Sequence, residues 1–253
     1  MRLKDRLARH GAFAFRWRGL GPLVLLPAAI PALVESVRIE LWAGETWNDL
    51  WMAACLLLSF AGLAIRVATV GFVPAGTSGR NTSGQRATRL NVTGMYSVVR
   101  NPLYLGNFVI LLGIVLSLKV WWFAAVFGLA YALYIERIVM AEEDFLAGRF
   151  GAGYATWTAR TPAFWPRWRN WRNPDMAFSL RTVLRREYNG FFFILLAFTT
   201  LEAFTDMAME GQSLDFWLAD DWTWPALFML GLAVHFTLRT LKKQTRLLHI
   251  DGR

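Results

Sequence analysis

Leu103-Tyr-Leu-Gly-Asn-Phe-Val-Ile-Leu-Leu-Gly-Ile-Val-Leu-Ser-Leu118, then Lys119, then Val120-Trp-Trp-Phe-Ala-Ala-Val-Phe-Gly-Leu-Ala-Tyr-Ala-Leu-Tyr-Ile-Glu-Arg-Ile138 is the stretch that decides the fold. Each apolar run is long enough, or nearly so, to cross about 30 Å of hydrocarbon at about 1.5 Å per residue. With only Lys119 between them, they read as a tight helical hairpin turning at a membrane surface. Outward from this hairpin, further apolar stretches lie at 20–37, 50–73, 190–205 and 222–238. The expected fold is all-α, a polytopic transmembrane bundle of about six spans.

Composition agrees. The 253 residues are 55% hydrophobic and only 18% charged, with 13 Trp and 19 Phe, so lipid is the expected main solvent. A formal charge of +9 would suggest nucleic acid in a soluble protein, but here the basic residues fall between apolar runs and read as topology. No nucleic-acid recognition module interrupts those runs. Cys55, the single cysteine, has no partner for a disulfide or a zinc cluster and reads as a small buried hydrophobe. Residues 1–18 are basic with no apolar h-region and cleavage site behind them, so no removable signal peptide is expected.

Charge also orients the spans. Arg2, Lys4, Arg6, Arg9, Arg16 and Arg18 precede the first; Arg80, Arg86, Arg89 and Arg100 lie between the second and third; the arginines of 149–186 follow the fourth; Arg239, Lys242, Lys243 and Arg246 follow the sixth. The other side carries Glu40, Glu45, Asp49, Asp206, Glu210, Asp215, Asp220 and Asp221, with Arg38 and Lys119 its only basic residues. Both termini are therefore expected in the cytosol, an arrangement that needs an even number of spans. Trp42, Trp47, Trp51, Trp121, Trp122, Trp217, Trp222 and Trp224 fall at span ends, where indoles anchor in the interface.

Chemistry concentrates in Gly94-Met-Tyr-Ser-Val-Val-Arg-Asn-Pro-Leu-Tyr-Leu-Gly106. Asn101 is a favoured N-cap and Pro102 a favoured first helical residue, so the third span opens here, its unpaired N–H groups facing water. Arg100 adds a fixed charge able to fork onto a carboxylate or phosphate. Tyr104 offers a ring with a hydroxyl, and Gly106 a place of close backbone approach. After the fourth span comes Glu136-Arg-Ile-Val-Met-Ala-Glu-Glu-Asp-Phe-Leu146, followed by Phe150, Tyr154, Trp157, Pro162 and Phe164. Glu136 and Glu143 share a helix face, and Glu142 points about 100° away. Acids at the end of an apolar helix are costly unless they bind something positive or polar.

These two segments resemble the isoprenylcysteine carboxyl methyltransferase and phospholipid methyltransferase superfamily. That family opens one membrane helix with Arg-His/Asn-Pro-x-Tyr-x-Gly and closes the next with Glu-Glu-x-x-Leu and following aromatic positions. Here the pattern is Arg100, Asn101, Pro102, Tyr104, Gly106, then Glu142, Glu143, Leu146, Phe150 and Tyr154, within residues 93–166. The resemblance implies a membrane enzyme that binds S-adenosylmethionine in a cytosolic-face pocket. Its cofactor-binding set would be Arg100, Asn101, Pro102, Tyr104, Leu105, Gly106, Glu142, Glu143, Leu146 and Tyr154, with Arg100 and Glu143 closest to the chemistry. It divides the chain into 1–92, a core at 93–171 and a C-terminal extension at 172–253. Asn101 stands where carboxyl methyltransferases commonly have histidine, and the extension lies outside the shared pattern.

Several acceptors fit. The sulfonium methyl is already activated, so an anionic acceptor needs no general base, whereas an amine needs one. No acidic residue lies between Val73 and Tyr134, which favours an anionic lipid group: a lipid phosphate, as on lipid A, or an isoprenylcysteine carboxylate. Gly76, Gly79 and Gly84 with Arg80, Arg86 and Arg89 either form an anion-binding nest or a solvated positive-inside loop. Arg66 either snorkels or faces the site, pairing with a glutamate or the acceptor's anion. Arg66, Arg80 and Arg89 are thus the candidate acceptor-binding residues. His235 reads as packing, and His10 and His249 suggest no metal site. The alternatives are an amine N-methyltransferase, a nicotinamide-dependent reductase on a related scaffold, or a lipid-binding or transport protein. The expected location is a bacterial inner membrane.

Overall fold

The computed structural model describes residues 11, 13–16, 21–74, 87–209, 211–250 and 252. Among them no strand occurs, and the long helices are α1 (Leu26–Ala43), α2 (Glu45–Val70), α3 (Pro102–Leu116), α4 (Trp121–Thr158), α5 (Leu180–Phe204) and α6 (Thr223–Gln244). Each expected apolar stretch is thus a helix. Four are long and apolar enough to cross a membrane: Glu45–Val70, Trp121–Thr158, Leu180–Met207 and Thr223–Gln244. The fifteen residues of α3 reach only roughly 22 Å at 1.5 Å per residue.

Element ends depart from the sequence expectation for identifiable reasons. A 3-10 turn, Gly21–Leu25, precedes α1, whose helix continues past Glu35, Arg38 and Glu40 to Ala43. Those acids are partnered in place: Trp122 Nε1 donates to Glu35 Oε2 at 2.7 Å, and Lys119 Nζ pairs with Glu40 Oε2 at 2.8 Å, with Asn48 as a second donor to Glu40. One residue, Gly44, separates α1 from α2, and its φ of 86° is a conformation that favours glycine. The hairpin turn at Ser117–Val120 places Lys119 at φ 61°. Past its apolar stretch, which ends near residue 138, α4 runs on through the helix face shared by Glu136 and Glu143, for 38 residues in all, broken in direction only at Gly151 (φ 50°, ψ −123°).

A seam of small residues brings α2 and α3 together. A Cβ on Gly62 would stand 2.7 Å from the Gly106 carbonyl oxygen, and one on Gly113 would stand 2.6 Å from that of Cys55. Ser59 Oγ donates across the same seam to the Ile110 carbonyl at 2.9 Å. Such close backbone approach is how membrane helices gain van der Waals contact where lipid supplies no hydrophobic drive. Ile194 and Phe198 of α5 bury completely against Met52, Cys55, Leu63 and Ile110. Cys55 is buried as expected. Against α5 rests α6, with His235 between the rings of Tyr188 and Phe192 at 5.3 and 4.9 Å. Ala14 and Phe15 pack on Ile135, Ile138 and Val139 of α4.

The indoles divide. Trp42, Trp47, Trp121 and Trp222 are exposed, as anchors should be. Trp51 instead donates to the Leu116 carbonyl, Trp122 to Glu35 and Trp217 to Asp206, while Trp224 stacks on Phe198.

Candidate active site

The site starts from an irregular segment held by a second irregular segment. After Gly94 (φ 58°) come one helical turn, Met95–Val98, and then extended, buried Val99. Beside it runs the 160–172 segment. Arg100 N donates to the Pro162 carbonyl at 2.8 Å, Arg167 N to that of Val98 at 3.0 Å, and Gly94 N to that of Arg172 at 2.9 Å. Arg172 N reaches Ser97 Oγ at 3.0 Å, and Trp157 Nε1 reaches the Tyr96 carbonyl at 2.9 Å. Buried backbone groups need such partners, so the polypeptide leading into α3 is fixed on both flanks. Burial pushes the Tyr96 phenol up from its ordinary value, keeping it neutral.

Pro102 opens α3 as expected. Asn101, however, makes no side-chain cap; its Nδ2 donates to the Ala163 carbonyl at 3.2 Å, so it ties the two segments together. From this corner two side chains meet α4. Arg100 Nη1 lies 2.9 Å from Glu143 Oε1, and Tyr104 Oη donates to Glu142 Oε1 at 2.9 Å. Tyr131, also on α4, donates to the Tyr104 carbonyl at 2.8 Å. Tyr154 is buried beyond the Gly151 break, edge-on to Trp157 at 5.7 Å and within electrostatic reach of Arg100 and Glu143. The corner and the Glu142–Glu143 pair, 38 or more residues apart in sequence, thus form one cluster.

Within that cluster, Arg100 Nε, Glu143 Oε1 and Tyr154 Oη are buried without a well-aligned hydrogen bond, Tyr154 Oη lying beside the Arg100 guanidinium. The Arg100–Glu143 contact is close, but its alignment leaves that carboxylate oxygen unbonded. Three poorly aligned polar atoms at one place are what a ligand rich in hydrogen-bonding groups could satisfy.

The other expected residues distribute differently. Leu105 and Leu146 are half-buried on α3 and α4, and Glu136 is exposed outside the cluster. Gly106 is filled from the α2 side, where an added Cβ would stand 2.5 Å from Arg66 Cγ. Arg66 itself forks onto Glu187 of α5, with Nε to Oε2 at 2.7 Å and Nη2 to Oε1 at 3.0 Å, and Nη1 donates to Asn107 Oδ1 at 2.6 Å. Arg66 thus neither snorkels nor meets Glu142 or Glu143; it pairs with a glutamate of α5. Arg89 pairs with Asp175 at 2.6 Å, both largely exposed, beside a small cavity lined by Phe72, Asn91 and Tyr96. Arg80 and the glycines of its loop lie outside the described residues, as do Glu210, His10 and the basic residues from Arg2 to Arg9.

Glu187 and Asn107 escaped the sequence reading. The one signal for Glu187 was its isolation as the only acid between Asp175 and Glu202, at the mouth of an apolar run.

Comparison with known proteins bears on the same region. A family model described as phospholipid methyltransferase matches residues 50–153, which include Arg66, the Arg100–Gly106 corner and both glutamates. The chain is 30% identical over 161 residues to the nickel-cobalt-cadmium resistance protein NccN of Alcaligenes xylosoxydans xylosoxydans, covering 58% of this chain and 73% of that one. It is 34% identical over 136 residues to the cobalt-zinc-cadmium resistance protein CzcN of Cupriavidus metallidurans, covering 53% and 61% respectively. No solved structure matches the chain.

Proposed function

This chain belongs to the phospholipid methyltransferase family, and from that premise we propose that it moves a methyl group from S-adenosylmethionine to an anionic group on a membrane-embedded acceptor. The observation that carries this reading is a set of buried, poorly aligned polar atoms, Arg100 Nε, Glu143 Oε1 and Tyr154 Oη, around one ion pair. S-adenosylmethionine fits them by chemistry: it carries a carboxylate for a guanidinium, an ammonium and ribose hydroxyls for a carboxylate, and acceptor atoms for a phenol.

When bound, that group supplies a methyl already activated on a sulfonium. The chain's task is then to bind, orient and exclude water. Arg100 and Glu143 hold the polar ends of the donor. Glu142 fixes the Tyr104 ring, and Tyr131 fixes the Tyr104 backbone, so the first turn of α3 presents a rigid wall. Arg66 leaves the acceptor-binding set and becomes a positioning residue, bracing α3 from behind through Gly106 and Asn107. Arg89, whose exposed pair with Asp175 is weak, can exchange that carboxylate for a stronger anion, and Arg80 precedes it by nine positions in the sequence.

The acceptor is read as anionic because no general base is then required, and because no acid lies between Val73 and Tyr134. A lipid phosphate, as on lipid A, or a prenylated carboxylate meets that condition. The basic flanks support a cytosolic position for both termini and the site, in a bacterial inner membrane. The relatives' names suggest that the methylated product serves resistance to metals such as cobalt and cadmium.

Membranes containing the protein, incubated with methyl-labelled S-adenosylmethionine, should yield a labelled lipid whose mass identifies the acceptor. Calorimetry on the purified protein should show donor binding that Glu143→Ala weakens. Absence of donor binding to folded protein ends the proposal, and a labelled amine would redirect it to N-methylation.

A further inference from the structure

Beyond Gly151, α4 ends in a stripe, Gly153, Thr156, Trp157 and Arg160, at the spacing of one helix face. The 160–172 segment folds back beside this stripe and closes a cleft of about 420 Å³, lined also by Arg169, Asn170, Trp171 and Arg172. The size is that of a small-molecule site. Its walls are built: Asn170 Nδ2 bonds the Arg160 carbonyl at 2.7 Å, and Arg172 N bonds Ser97 Oγ at 3.0 Å. None of its lining residues belongs to the Arg100–Glu143 cluster.

The charge of this cleft is unbalanced. Arg160, Arg169 and Arg172 line it, no acidic side chain does, and none of the three makes an ion pair among the described residues. From Phe145 to Pro174 the sequence contains no Asp or Glu. Trp171, 43% accessible, lines the cleft, and the same 160–172 segment exposes Trp165 (86%) and Trp168 (64%). Solvent-facing tryptophans are expensive in water and at home in a headgroup layer. Guanidinium forks match phosphate oxygens, and indoles beside them seat the glycerol and upper acyl region of a lipid.

We propose that this cleft binds the phosphate headgroup of an anionic membrane lipid, with Arg160, Arg169 and Arg172 on the phosphate and Trp165 and Trp168 in the interface. The site is separate from methyl transfer and stands whether or not that reading does. It docks the kinked end of α4 and the 160–172 segment onto the bilayer surface, and that segment holds the corner from which Arg100 projects.

Native mass spectrometry of the full chain, delipidated in detergent, tests this by titration with phosphatidylglycerol, with phosphatidylcholine, and with inorganic phosphate as competitor. Phosphatidylglycerol is expected to bind preferentially, and Arg160→Gln/Arg169→Gln/Arg172→Gln to weaken it at least about tenfold. A control lacking three exposed charges elsewhere, Arg239→Gln/Lys243→Gln/Arg246→Gln, is expected to retain affinity. Equal losses in both variants mean bulk charge and overturn the site. Unchanged binding in the cleft variant overturns it as well. Displacement of the lipid by inorganic phosphate at matching concentration overturns the lipid assignment in favour of a free anion. Should the triple variant unfold, exposed Arg169→Gln alone is expected to weaken phosphatidylglycerol binding about threefold with an unchanged melting temperature, and no change there counts against the proposal.

Discussion

Two arginine–glutamate pairs brace α3, and they are built to opposite ends. Arg66 and Glu187 form a closed unit: two parallel bonds between them, a third to Asn107, and side chains only 15% and 4% accessible. Arg100 and Glu143 form an open one, 19% and 30% accessible, with a single close contact and a poorly aligned atom on each side. A satisfied buried pair locks helices and has nothing left to offer a ligand. An unsatisfied pair of the same residue types is a poor lock, and its leftover valence is the reason to look for a ligand there.

The contrast breaks most visibly at the closed pair. Removing one partner there strands a charge among packed helices, so Arg66→Ala or Glu187→Ala should lose about 3–5 kcal/mol of stability, read as a large drop in detergent melting temperature. The exchange Arg66→Glu with Glu187→Arg should recover part of it. If either single variant melts like the parent, the closed pair is no lock and the distinction collapses.

At the open pair the reverse is expected. Glu143→Gln keeps shape and removes charge, so stability should stay within about 1 kcal/mol while S-adenosylmethionine binding falls by roughly 10–100-fold, the worth of a charged hydrogen bond at about 1.5–3 kcal/mol. Calorimetry alongside a melting curve separates the two quantities. A variant that melts early yet binds normally would make Arg100–Glu143 structural.

Gly106 connects the pairs, since it lies two residues past Tyr104 and directly over Arg66. A Cβ there meets Arg66 Cγ at 2.5 Å and the Gly62 carbonyl oxygen at 2.9 Å. The Arg66 stem can yield and the α2 backbone cannot, so Gly106→Ala should cost about 1–3 kcal/mol of stability. Its effect on the donor should be smaller than that of Glu143→Gln. Were donor binding lost with stability intact, Gly106 would face the ligand and not the brace.

How much of this was legible in sequence follows from where each bond is made. The corner at Arg100–Pro102 and the acids at 142 and 143 could be read because each sits at a helix end, where a few neighbouring residues decide the local structure. That the corner and these acids lie on one side followed from the charge pattern, but the Tyr104–Glu142 bond did not. The Arg66–Glu187 pair could not be read, since it joins positions 121 residues apart on helices whose rotation about their axes depends on the small-residue seam at Ser59, Gly62, Gly106 and Gly113. Asn101 misled for a related reason: a capping side chain was claimed by the Ala163 carbonyl, part of a segment held by backbone bonds that leave no side-chain pattern. In α4, the helix face shared by Glu136 and Glu143 was legible because Glu, Arg, Met, Ala and Leu are good helix formers, and they carry the helix on to the direction change at Gly151.

The smallest expected effect lies at a third arginine, and it tests whether openness alone predicts function. Arg89 and Asp175 touch at 2.6 Å but are 63% and 48% accessible, so water and salt screen the pair and its loss should change stability by under about 1 kcal/mol. Arg89→Ala should therefore melt like the parent and bind S-adenosylmethionine like the parent. If Arg89 receives the acceptor's anion, the variant should raise KM for the lipid a few-fold with kcat unchanged, the signature of lost ground-state binding. Asp175→Asn should then do the opposite, because it removes the carboxylate that competes with the incoming anion. An unaltered KM in both variants would leave Arg89 a surface charge, and would confine functional openness to arginines whose partners are buried.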